Sequence, residues 1–172
     1  LLGRIGLFGF SVATIPFIAF GFVAAFILGQ LLYRSQALKD AFATIPIPWA
    51  IAVQLFRIMG YGFLIFYSLG LIPGEFALPT GWGDVIIGFT AIPVALIYAR
   101  WRTKSLAVVW NYLGLIDLAL ALILGLSTYP RPVQVIASTP DNSLIALFPL
   151  VMVPLFAVPV SILLHLFTLR RM

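Results

Sequence analysis

LAVVWNYLGLIDLALALILGLS, Leu106 to Ser127, runs for 22 residues with one charged side chain, Asp117. Wound as an α-helix it extends about 33 Å at 1.5 Å per residue, close to the thickness of a bilayer's hydrocarbon core. A stretch this long and this apolar reads as a spanning helix rather than as the core helix of a soluble domain. In lipid each backbone amide must find its partner within its own segment, which favours helix over strand despite the many β-branched residues along the chain.

Four other stretches share this character. Together with 106–127, they place spans at about 5–33, 48–71, 84–101 and 142–169. Hydrophobic residues make up 63% of the 172 and charged residues 9%, with a mean hydropathy of +1.15, outside the range of ordinary soluble domains. The expected fold is all-α: a polytopic transmembrane helical bundle of about five spans, forming a single domain over 1–172 with the lipid bilayer as its first partner. The sequence opens on Leu1 rather than Met, which leaves room for one more helix upstream. Its first apolar stretch is too long for a signal-peptide core.

Charge supplies direction. The net charge is +5 and the pI about 10.0, but the basic residues sit in small groups at the ends of apolar stretches, a topological pattern and not a nucleic-acid surface. Arg34 and Lys39, then Arg100, Arg102 and Lys104, then Arg170 and Arg171 fall on one side; Arg4 and Arg131 fall on the other. The positive-inside rule therefore puts the C-terminus in the cytoplasm and the start of this sequence outside. The outward connections 72–83 and 128–141, rich in Pro, Gly, Ser and Thr, read as compact loops. With no cysteine, disulfides, thiolate nucleophiles, iron–sulfur ligation and Cys-based zinc sites are all excluded.

The candidate functional residues are the polar groups inside the apolar spans. Arg57 and Asp117 lie at similar depths, roughly 13 to 17 Å at 1.5 Å per residue, so they are expected to pair. Each charge costs about 2.5 to 3.5 kcal/mol at a helix centre, far more than one Leu or Val returns. Such a pair is either a bridge locking two helices or a proton or anion site. Gln54, Arg57 and Tyr61, three and four residues apart, are expected to form one inward stripe. Trp110, Gly114 and Asp117 share a face on their own helix, with Asn111 off that face. His165, the one histidine, is level with Asn111 and within reach of a hydrogen bond. One imidazole suffices to ligate a haem or pigment metal but not a bis-histidine haem or a catalytic zinc, so His165 is a weak metal candidate beside its structural alternative.

Gly81-Trp82-Gly83-Asp84 reads as a tight turn with Asp84 capping the next helix, and Glu75 with Asp84 as an outward acidic mouth for a cation. The glycines fit neither a dinucleotide fingerprint nor a P-loop. Pro149, Pro154 and Pro159 predict a kinked last span, with carbonyls freed at Ile145, Leu150 and Leu155. Gly21, Ala25 and Gly29, at four-residue spacing, offer a face for close helix approach.

The run Gln54-Leu55-Phe56-Arg57, with Leu71-Ile72-Pro73, Phe76-Ala77-Leu78-Pro79, Gly81-Trp82-Gly83-Asp84, Trp110-Asn111, Gly114, Asp117-Leu118 and His165, resembles bacterial integral membrane proteins of no established activity. The resemblance covers roughly 54–172. It implies a small multi-pass protein of the bacterial cytoplasmic membrane and transfers no mechanism or cofactor.

Two functions follow as expectations: a non-enzymatic membrane component, autonomous or an accessory subunit of a larger complex; or a small transporter, a proton-coupled permease built on Arg57 and Asp117. Pigment or haem binding through His165 comes third. No nucleophile–base pair or metal cluster stands at catalytic spacing, and no cofactor is required.

Overall fold

The computed structural model describes residues 23, 26–27, 29–30, 34–36, 40, 44–130 and 132–172. Among them the chain is all-helical, without strands, and four helical segments are long and apolar enough to cross a membrane. The first begins behind Pro46, whose extended backbone opens α1 (Ile47–Ala52), with Pro48 in the first turn where no amide donor is needed. It tightens into a 3-10 stretch, Val53–Gly60, and resumes as α2 (Tyr61–Ser68). Gly70, at φ +67°, closes α2: its amide donates to the Tyr67 carbonyl, and that of Leu71 to the Phe66 carbonyl. This left-handed closure suits glycine.

After Pro73 the chain enters α3 (Gly74–Trp101). At 28 residues it extends about 42 Å at 1.5 Å per residue, longer than the hydrocarbon core. The segment 72–83, expected as a loop, is thus almost entirely helix, and the span expected to start at Asp84 begins three turns earlier. Proline and glycine punctuate a chain in water; here Phe76, Ala77, Thr80 and Gly81 are buried against neighbours, and a broken backbone in lipid would leave its amides unpaired. Pro79 and Pro93 lie inside α3. Arg102, at φ +54°, turns the chain within two residues into α4 (Lys104–Ser127).

The last span is shorter than the expected 142–169. A 3-10 turn, Ser143–Ala146, is followed by an irregular stretch holding Pro149, then a π-helical turn, Val153–Ala157, that leads into α5 (Val158–Arg171). The predicted distortion is therefore a break before Val153 and a wide turn around Pro154, a common way to absorb a missing donor. The Leu150 carbonyl, expected to be free, accepts from the Val153 amide.

Helix α3 is central, packing on the 3-10 stretch, α1, α2 and α4, while α5 packs on α4 and α1. Two apolar clusters form the core. One, at the Trp101 end of α3, includes Ile51, Ala91, Tyr98 and Trp110; the other, toward its Gly74 end, includes Phe63, Ile72, Phe76 and Ile145. Outward-facing side chains are as apolar as the core, Met59 and Phe89 among them, as a helix surrounded by lipid requires. The first expected span, 5–33, lies mostly outside the described residues, as do Gly21 and Ala25. Gly29 is described and buried: a side chain there would meet Leu163 of α5, so this glycine serves packing within the chain.

Candidate functional site

Between the two apolar clusters lies a polar one, assembled from all four spans around Arg57. The 3-10 stretch positions it. With three residues per turn, Gln54, Arg57 and Gly60 eclipse one another and are buried. The same winding carries Tyr61 outward to 53% exposure. This corrects the expected stripe, which assumed α-helical spacing and placed Tyr61 inside.

The guanidinium spends its donors in three directions. Nε donates to Asp84 Oδ1 of α3 at 2.8 Å, and Nη2 donates to Asp117 Oδ2 of α4. Nη1 faces the Gly114 carbonyl at 3.4 Å and His165 Nε2 of α5 at 3.3 Å. Arginine is only a donor, so His165 Nε2 is the accepting nitrogen and Nδ1 carries the hydrogen. Nδ1 then donates to Asn111 Oδ1 at 2.9 Å, and Asn111 Nδ2 donates to the Ala107 carbonyl at 2.7 Å. Gln54 ties the other flank: its amide donates to the Ser161 carbonyl at 3.1 Å, and Ser161 Oγ donates to Gln54 Oε1 at 2.6 Å.

Glycines make the space. An added Cβ would meet Asp84 at Gly60, the Asp117 carboxylate at Gly83, and the His165 ring at Gly114. At Gly88 it would stand 2.6 Å from the backbone nitrogen of Ile58, so α3 touches the 3-10 stretch backbone to backbone. Such approaches are the usual reason for small residues between membrane helices.

Of the residues singled out from sequence, Arg57, Asn111, Asp117 and His165 meet in one hydrogen-bonded network, Gln54 is buried one turn before Arg57 and bonded to Ser161, and Tyr61 joins neither. Asn111 is buried beside Trp110 and Gly114, not off their face. Asp84 is neither a cap nor part of an outer mouth with Glu75. It lies mid-helix, about 13 Å along α3 from the exposed Glu75 at 1.5 Å per residue. Its signal was present in another form: Gly81, Asp84 and Gly88, at helical spacing, mark one face of α3. Ser161 lacked any sequence signal, a lone hydroxyl in an apolar run.

His165 is fully buried, packed 5.3 Å from the Trp110 ring, with both ring nitrogens engaged by protein groups. That arrangement favours a positioning histidine over a metal ligand. No group of three or more His, Asp or Glu suited to a metal occurs among the described residues. The two carboxylates differ from the rest of the cluster in access: Asp84 and Asp117 side chains are 15% and 12% exposed, against 2% for Arg57.

A family model described as "Domain of unknown function (DUF8737)" matches residues 12–172. No curated protein and no solved structure matches the chain.

Proposed function

We propose, from the premise that the chain belongs to the DUF8737 family, that this membrane protein is a non-enzymatic, proton-coupled permease whose proton-carrying site is Arg57 with Asp84 and Asp117. The observation that carries this reading is the ratio of charges: one guanidinium is bonded to two carboxylates on two different helices. A helix lock needs one acid. The second adds a negative charge mid-span, which costs about 2.5 to 3.5 kcal/mol on insertion scales unless a proton or small cation neutralises it.

Neutralisation has a mechanical consequence. When one carboxylate takes a proton, Arg57 keeps a full ion pair only with the other, so occupancy changes how strongly α3 and α4 are tied through it. A proton that binds one arrangement of helices better than another shifts the balance between them. Asn111 and His165 steady the guanidinium from the far side during this exchange. The setting we propose is the bacterial cytoplasmic membrane, with the C-terminus in the cytoplasm.

Purified protein in proteoliposomes enclosing a pH-sensitive dye tests this directly. Under an imposed potential, proton flux is expected, and Asp84→Asn and Asp117→Asn should each reduce it to the rate of empty vesicles. Intact flux in both variants would remove the site from the mechanism. If the wild-type protein moves no protons and instead copurifies in fixed ratio with another membrane protein, the accessory-subunit role replaces this one.

A further inference from the structure

Three buried side-chain oxygens or nitrogens among the described residues have no partner: Thr80 Oγ1, Ser138 Oγ and Asn142 Oδ1. All three lie on one side of the Arg57 cluster, the side of the 128–142 connection. Thr80 is one turn from Asp84 on the same face of α3, about 6 Å away along the axis. Antiparallel α3 and α4 keep a constant register: Thr90 accepts from Trp110, Gly83 abuts Asp117, and Phe76 abuts Gly125. That register sets Thr80 level with Leu120 and Ala121. Asn142 sits about two turns further out, its backbone amide on the Thr128 carbonyl and its Nδ2 reaching back to the Gly125 carbonyl at 3.4 Å. Between the levels of Asn142 and Thr80 stands Phe76, edge-on to Phe63 at 5.2 Å and packed with Ile145.

Each side ends in an apolar cluster, but among the described residues the opposite side holds no unpartnered buried polar side-chain atom. Gln54 and Ser161 satisfy each other, Trp110 satisfies Thr90, and beyond them the core is apolar from Ile51 to Tyr98. A buried polar atom without a protein partner is a place for ordered water, and apolar walls stay dry.

We propose that protons reach Asp84 and Asp117 from the 128–142 side, relayed by water held at Asn142 and Thr80, with Phe76 as the gate between the two. This rests on the permease reading and adds its route. Each relay is a proton passed from hydronium to the next water, and at the end to a carboxylate, giving water and a neutral carboxyl group. Phe76 interrupts the file; its rotation joins the two wet levels.

The chain has no native cysteine, so single cysteines report water access cleanly. A thiolate, which forms only where water reaches, attacks thiosulfonate reagents, giving a mixed disulfide and releasing a sulfinate. In oriented proteoliposomes, Val135→Cys, at an 82% exposed position of the connection, defines the accessible side, and Ala91→Cys, fully buried in the opposite apolar cluster, defines the dry baseline. Thr80→Cys, nearly isosteric, is expected to react from the Val135 side about tenfold or more faster than Ala91→Cys, and faster again with Phe76→Ala, which lowers the local opening cost. Reaction of Thr80→Cys only from the other side, or at the Ala91→Cys rate with and without Phe76, overturns the route. Labelling and flux separate the two ideas: an unreactive Thr80→Cys in a protein whose flux needs Asp117 sinks the route alone, whereas a reactive Thr80→Cys in a protein without flux sinks the permease.

Discussion

Arg57 decides what happens to its neighbours when it is removed. Arg57→Met takes away the only cation among the described residues that is bonded to Asp84 and Asp117, and strands both carboxylates inside the bundle. Breaking a buried pair from one side costs about 3 to 5 kcal/mol, whereas replacing all its members by neutral groups of similar size is often neutral. Arg57→Met alone should therefore lower the unfolding midpoint in detergent sharply. Combining Arg57→Met with Asp84→Asn and Asp117→Asn should restore it to near wild type while proton flux stays absent. If the triple variant is as unstable as the single one, the cluster is held by geometry rather than by charge balance. Arg57→Lys should recover only part of the loss, because an ammonium cannot span Asp84, Asp117 and the Gly114 carbonyl as a fork does. At this scale much was legible in the sequence. Charges deep in apolar stretches are few, and equal depth was enough to bring Arg57 and Asp117 together. The meeting of His165 with Asn111 followed from depth as well. Asp84 was not legible, since its flanking glycines are equally good turn formers in water and packing surfaces in lipid.

Elements show the same ambiguity on a larger scale. Long apolar stretches revealed α4 to within two residues of its observed start, because nothing inside it competes with the helix. Helix α3 was cut short on paper by Pro79, Gly81 and Gly83, three residues whose turn propensity lipid overrides. The winding of Val53–Gly60 had no sequence signal, and a change from 3.6 to 3.0 residues per turn moved Tyr61 from the inner face to the outer one. Glycine substitutions test this packing element by element. Gly88→Ala places a methyl 2.6 Å from the Ile58 backbone nitrogen, where no side chain is free to move aside, so α3 and the 3-10 stretch must separate. A loss of about 1 to 3 kcal/mol is expected, the usual range for overpacking. Gly62→Ala, in α2, meets nothing within 4 Å and should be neutral or stabilising by up to about 1 kcal/mol through helix propensity. Equal effects at both positions in a thermal or denaturant series would contradict the close backbone approach.

For the molecule as a whole, the argument turns on which end is basic. Lys104 Nζ donates to the Met172 carbonyl at 2.8 Å, and Arg171 donates to the Ile45 carbonyl. These contacts gather the α3–α4 turn, the C-terminus and the start of α1 at one end, together with Arg100, Arg102 and Arg170. The described charges at the other end, Glu75 and Asp141, are acidic. Each Lys or Arg beside an anionic membrane surface is worth about 1 kcal/mol, and translocating it is disfavoured. The basic end should therefore be cytoplasmic and the 128–142 connection external. Expressed in a bacterial host, Val135→Cys should react in whole cells with a maleimide that cannot cross the membrane, while Arg102→Cys should react only after the cells are opened. Replacing Arg100 and Lys104 by glutamine in the Arg102→Cys protein, with lysines added near Asp141, should produce a mixed population in which positions 135 and 102 both label from outside. The same result without the added charges would detach orientation from charge, and the Asn142 and Thr80 route would then open toward both faces of the membrane.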